Sequence, residues 1–154
     1  MRSVSKADLI DDVNRALIEQ LAAEPRASFA ELGRRVGLSS PAVAERVGRL
    51  EEAGVIRYRL DLDPEALGLP LTAWVRVRPA PRQLPKVAEL ARELPEVVLC
   101  DRVSGEDCFL LKVHVRSMSH LEELLDQFLS VGQTTSSFVV TSPVPPRPLR
   151  VTHE

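Results

Sequence analysis

Residues 28–56 read SFAELGRRVGLSSPAVAERVGRLEEAGVI, and the order of apolar and turn residues in this stretch predicts two short helices joined by a tight turn. Ser28 stands three residues before Glu31, the spacing of a capping box, and Phe29, Leu32 and Val36 follow as a short apolar stripe. Gly37 breaks the chain. Ser39 or Ser40 caps the next helix, with Pro41 tolerated in its first turn. Val43, Val47 and Leu50 fall on one side of that helix, and Gly54 ends it. The other side carries Ala42, Glu45, Arg46 and Arg49. A helix held from behind by another, with one side bare, suits a long charged groove, and double-stranded DNA offers one.

The flanks fit that reading. Ile10, Val13, Leu17 and Leu21 are spaced as one face of a preceding helix, with Asp8, Asp11 and Asp12 near its N-terminus and Pro25 after its end. Val55 to Leu60 alternates like a strand and predicts a small wing. Residues 1–60 are thus expected to form a winged helix-turn-helix domain of three helices plus a short strand. Between residues 26 and 59 seven arginines meet four glutamates, whereas residues 61–154 hold ten basic and thirteen acidic side chains. A basic segment joined to an acidic remainder fits a nucleic-acid module attached to something else, and ordinary surface charge explains the same numbers.

The character changes at residues 61–70, read as a linker around Asp63-Pro64 and Gly68. Beyond it the order is strand (Leu71 to Arg78), helix (Leu84 to Leu94), a hairpin of two strands (Val97 to Val103, Cys108 to Val115), helix (Ser119 to Leu129, capped by Ser119 with Glu122) and strand (Thr134 to Thr141). Residues 71–142 therefore predict a βαββαβ ferredoxin-like domain, and the whole chain an α+β protein. Residues 143–154 form a tail whose Pro143, Pro145, Pro146 and Pro148 exclude helix and central strand. Two helices cover one sheet face only, while Trp74 and Leu110 stand opposite the Ala73–Val75–Val77 and Phe109–Leu111–Val113 sets. A second subunit is expected over that face, so a homodimer would present two DNA readers. In the hairpin, pairing of Val103 with Cys108 sets Cys100 against Leu111, out of register for a disulfide, and both thiols are expected to be buried and free.

The residues Asn14, Ser28, Glu31-Leu32, Val36-Gly37-Leu38-Ser39, Val43, Arg46-Val47, Leu50-Glu51 and Gly54-Val55-Ile56 resemble the Lrp/AsnC family of transcription regulators. Val103-Ser104-Gly105-Glu106-Asp107-Cys108-Phe109-Leu110-Leu111-Lys112-Val113 is similar to that family's effector-binding domain. The resemblance implies a DNA-binding regulator that assembles as dimers and often octamers and responds to amino acids, with effectors near the glycine loop at a subunit interface. The loop departs from the family in one respect: it reads Gly-Glu-Asp-Cys, where many members place an aromatic residue between two acidic ones. The identity of the effector does not carry over.

On this reading DNA meets Ser39, Ser40, Ala42, Glu45, Arg46 and Arg49, the serines binding phosphate beside free backbone N–H groups and the arginines reaching phosphate or guanine edges. Glu45, Arg46 and Arg49 equally suit ion pairs on a solvated helix. Arg34 and Arg35 either touch the DNA backbone or complement their own helix's C-terminal dipole. An amino acid needs an acceptor for its ammonium group, which Asp107 or nearby carbonyls supply. It also needs donors for its carboxylate, which the backbone N–H groups of the loop (Ser104, Gly105, Glu106) and the hydroxyls of Thr134, Thr135 and Ser136 supply. Gly105 answers first to the turn, and the threonines to β-propensity.

Other classes find little support. No cofactor is expected. His114, His120 and His153 lack metal-ligand spacing, and no nucleophile elbow, phosphate loop or HExxH string is present. No apolar stretch approaches the length of a membrane span and Met1–Lys6 has no apolar signal core, so a cytoplasmic, nucleoid-associated location is expected. An architectural protein that coats or bends DNA without any effector is the alternative.

Overall fold

The computed structural model describes residues 6–151; His153 and nearly all of the N-terminal stretch Met1–Lys6 lie outside them. The chain divides into two compact units, one of residues 1–60 with 144–154 and the other of residues 61–143.

In the first unit a 3₁₀ turn (Ala7–Leu9) leads into α1 (Asp12–Ala23), α2 (Phe29–Val36) and α3 (Ser40–Glu52). Asp11 caps α1 by accepting from the Asn14 backbone N–H. Ser28 and Glu31 form the full reciprocal capping box on α2, and Ser39 caps α3. Leu17, Leu21, Leu32, Val43 and Val47 make the core, with Val13, Ala27, Val36, Leu38 and Ile56 packed against it. The expected wing does not form. Val55 and Ile56 donate their N–H groups to the Leu50 carbonyl, and residues 56–60 run without a paired strand although their pattern alternates. Alternation favours an extended chain, but a strand needs a neighbour.

In the second unit the elements are β1 (Leu71–Pro79), α4 (Leu84–Glu93), β2 (Val97–Arg102), β3 (Phe109–Val115), α5 (Met118–Asp126) and β4 (Gly132–Phe138). They form one antiparallel sheet in the order β2-β3-β1-β4. Ala73, Val75, Val77, Phe109, Leu111, Val113 and Val115 fill one face together with Val87 and Ala91 of α4, Leu121 and Leu124 of α5, and Phe128 and Val131. Trp74, Leu110, Lys112 and His114 stand half-buried on the other face. The segment expected as a linker turns at Pro64, with Leu69 N–H donating to the Pro64 carbonyl.

Three local expectations change. Ser117, not Ser119, caps α5, accepting from the His120 N–H; Ser119 lies inside the first turn. Strand β4 begins two residues early, at Gly132, which pairs with Pro79 and where a Cβ would stand 2.4 Å from the Arg78 carbonyl oxygen. The thiols are not buried: Cys100 is exposed on the edge strand β2, and Cys108 is half-buried at the end of the hairpin loop. Cys100 does pair with Leu111.

Candidate nucleic-acid interface and effector loop

The turn before α3 is built by backbone proximity. Gly33 is buried, and a Cβ there would stand 2.4 Å from the Leu38 carbonyl oxygen. Gly37 takes the left-handed conformation that closes α2 (φ 74°), and Leu38 N–H donates to the Gly33 carbonyl. Val43, Val47 and Leu50 are buried beneath α3, which leaves Ala42, Glu45 and Arg49 outward. Ser39 and Ser40 are exposed at the helix start, where Pro41 carries no N–H and the helix dipole and the Ser40 N–H favour an anion. The Ser39 hydroxyl accepts from the Ala42 N–H at 3.4 Å.

Arg46 is not bare. Its Nη1 donates to Asp11 Oδ2 at 2.7 Å and to Asn14 Oδ1 at 3.1 Å. Asn14, a buried polar residue, donates in turn to the Leu9 carbonyl. The Arg46 hydrogen bond, followed by the Asn14 backbone N–H, holds the Asp11 carboxyl below its ordinary pKa. Arg46 thus ties α3 to the start of α1. Arg35 is similarly engaged, with Glu24 at 2.7 Å and Gln20 at 3.2 Å, and so ties α2 to the end of α1. Arg34 is exposed with no ion pair among the described residues, and Arg49 reaches only Glu45 at 3.7 Å. The outward cations of the turn and α3 are therefore Arg34 and Arg49.

In the second unit Val103 N–H donates to the Cys108 carbonyl and closes the hairpin over Ser104–Asp107, with Gly105 at φ 118°. Sequence reasoning missed the partner of this loop. Arg78 Nη2 lies 2.7 Å from Glu106 Oε2, and its Nε 3.2 Å from Asp107 Oδ1. The pairing of Val77 with Phe109 brings Arg78 level with Cys108, so the cross-strand register carried the signal. Arg78 also borders a hollow of about 450 Å³ lined by Pro79, Ala80, Pro81, Leu129, Gly132 and Gln133. Thr134, Thr135 and Ser136 do not share one sheet face. Thr134 and Ser136 pair with buried Val77 and Val75 on the helix side, and Thr135 pairs with Arg76 on the other face. On that face His114 Nδ1 lies 2.9 Å from the Thr72 hydroxyl, and burial, then Lys112, lowers its pKa. No cluster of metal-binding side chains occurs among the described residues, and no helix there is long and apolar enough to cross a membrane.

Two family models match the chain: an AsnC-type helix-turn-helix domain over residues 10–51 and an Lrp/AsnC ligand binding domain over residues 72–149. The chain is 37% identical over 139 residues to the HTH-type transcriptional regulator LrpA of Mycobacterium tuberculosis, covering 88% of this chain and 93% of that one. Among solved structures it is similar to a transcriptional regulator of Neisseria meningitidis in complex with L-methionine, with TM-score 0.79, 30% identity, and 90% and 94% of the two chains covered. It is also similar to the feast or famine regulatory protein of M. tuberculosis complexed with L-methionine, with TM-score 0.81, 36% identity, and 92% and 99% covered.

Proposed function

The chain belongs to the Lrp/AsnC family of DNA-binding transcriptional regulators, and from that premise we propose how its residues read DNA and sense an amino acid. The α3 face of Ala42, Glu45 and Arg49 enters the major groove, while Ser39, Ser40 and Arg34 hold phosphates. Arg46 sets the angle of α3 through Asp11 and Asn14, and Arg35 sets that of α2. Homodimers form through the sheet face bearing Trp74 and Leu110, and larger assemblies such as octamers are built from them. The protein works in the cytoplasm on the nucleoid.

The effector is an amino acid, a reading supported by two relatives that are complexed with L-methionine. The observation that carries this assignment is the Arg78–Glu106–Asp107 cluster beside a hollow part-lined by Pro79, Ala80, Pro81 and Leu129. A zwitterion needs one cation and one anion at the same place, with room for its side chain. Here the guanidinium takes the carboxylate, Asp107 and Glu106 take the ammonium group, and Pro79, Pro81 and Leu129 receive an apolar side chain. Ser104 and Gly105 form the loop with Glu106 and Asp107; Thr135 stands on the sheet face of Arg76 and Arg78, and Thr134 and Ser136 on the helix face. Binding exchanges a protein ion pair for two protein–ligand pairs, which frees the loop to move and changes the relation between subunits.

A thermal-shift screen of L-methionine and the other proteinogenic amino acids tests this. A true effector at about one hundred times its Kd adds about 2.7 kcal/mol of stability, and Arg78→Ala abolishes the gain. If no amino acid moves the melting temperature and duplexes bind regardless of sequence, the chain is an architectural DNA-binding protein.

A further inference from the structure

The helix-turn-helix leaves one basic segment of its own unit unused. From Val144 to Val151 the chain carries two arginines, Arg147 and Arg150, and no acidic residue. This segment falls in the same compact unit as α1, α2 and α3. It has no helix or strand, residues 141–150 are all exposed, and neither guanidinium makes an ion pair among the described residues. Arg46 and Arg35, by contrast, are spent on holding helices together. The charge of the unit depends on this tail. Residues 6–60 hold nine basic and nine acidic side chains, so the two tail arginines make the described part of the unit positive.

The backbone is stiff. Pro145, Pro146 and Pro148 fix their own φ, and the residues before them, Val144, Pro145 and Arg147, are kept extended by the rings that follow. In a polyproline helix, which turns once in three residues, Arg147 and Arg150 would share one edge about 9 Å apart. Phosphate charges along one DNA strand recur about every 3.4 Å, so the two guanidinium groups span phosphates of a single strand. A pre-extended arm loses little conformational entropy when it lies along a backbone.

We propose that Arg147 and Arg150 form a second DNA contact, a proline-stiffened phosphate arm independent of the base-reading face of α3. It rests on the DNA reading of the first unit and adds affinity without sequence preference. Each phosphate contact contributes about 0.9 to the slope of log K against log salt. The test is a salt titration of the full chain on a short duplex of mixed sequence, compared with the double variant Arg147→Gln/Arg150→Gln. The slope should become shallower by about 1.8 per chain, with no change in melting temperature, and Arg147→Lys/Arg150→Lys should restore it. An unchanged slope in the glutamine variant overturns the arm. So does a loss of affinity at constant slope, or one that lysine fails to rescue, since neither is what loss of a phosphate contact produces. Failure of the wild-type chain to bind the duplex at all would instead break the DNA reading.

Discussion

The helical unit buries a core cluster of Leu17, Leu21, Leu32, Val43 and Val47, whereas the sheet unit's cluster has thirteen buried members, from Ala73 to Val131. The smaller unit adds directional polar contacts: Arg46 on Asp11 and Asn14, Arg35 on Glu24 and Gln20, and three capped helices. In the sheet unit the Arg78 and Lys86 ion pairs are exposed, His120 Nε2 meets Glu96 at 2.9 Å half-buried, and apolar packing fills the core. The contrast teaches where each unit is vulnerable. A small core under a rigid reading head fails at single polar or backbone positions; a large core fails through lost volume and leaves its polar residues free for binding.

The largest expected effect is therefore a cavity in the sheet unit. Phe128 is fully buried among Val77, Leu121 and Leu124 in that cluster, and Phe128→Ala should cost about 3–5 kcal/mol. Trp74, the only tryptophan, belongs to this unit, so its emission follows the urea transition without interference. A loss below about 1 kcal/mol would mean that packing is not what holds the sheet unit, since large-to-small changes in a true core cost more.

A smaller effect is expected at the backbone of the helical unit. Gly33→Ala sets a methyl group against the Leu38 carbonyl at 2.4 Å, where neither backbone can yield without disturbing the turn. Overpacking of this kind costs about 1–3 kcal/mol. The helical transition followed by circular dichroism should fall while the Trp74 transition stays in place. Movement of both together would erase the distinction between the units.

The same contrast governs what was legible in the sequence. The stripe Val43–Val47–Leu50, the Ser28–Glu31 box and the pairing of Cys100 with Leu111 are set by neighbours in the chain or by one turn, and local spacing reveals them. The order β2-β3-β1-β4 follows from connection rules. The tie of Arg46 to Asp11 joins residues thirty-five apart, and Arg78 meets Asp107 across twenty-nine; no periodicity encodes either. Both convert a residue read as a free ligand group into one already engaged. The division of Thr134 and Ser136 from Thr135 was available from strand alternation and follows once β4 is fixed. Tyr58 and its neighbours show the reverse error, since local alternation cannot say whether a partner strand exists.

The smallest effect belongs to the polar tie itself, and its sign with pH separates it from packing. Asp11 caps α1 and receives Arg46, and its folded carboxyl lies below the ordinary value of 3.8, chiefly through the Arg46 hydrogen bond. A depressed carboxyl contributes stability above its unfolded pKa and loses it as pH falls through the folded one. The helical unit should therefore weaken below about pH 4, and Glu31, depressed by its bonds to Ser28, adds a loss of the same sign. Asp11→Ala removes the cap as well as the charge and should cost about 1 kcal/mol near neutrality. Asp11→Asn keeps a capping oxygen, so it should cost less at neutral pH and flatten the acid side of the profile, leaving the Glu31 share. If Asp11→Asn instead leaves the acid slope of the helical transition unchanged, Arg46 contributes nothing through that carboxylate. Its guanidinium would then be as available to DNA as that of Arg49.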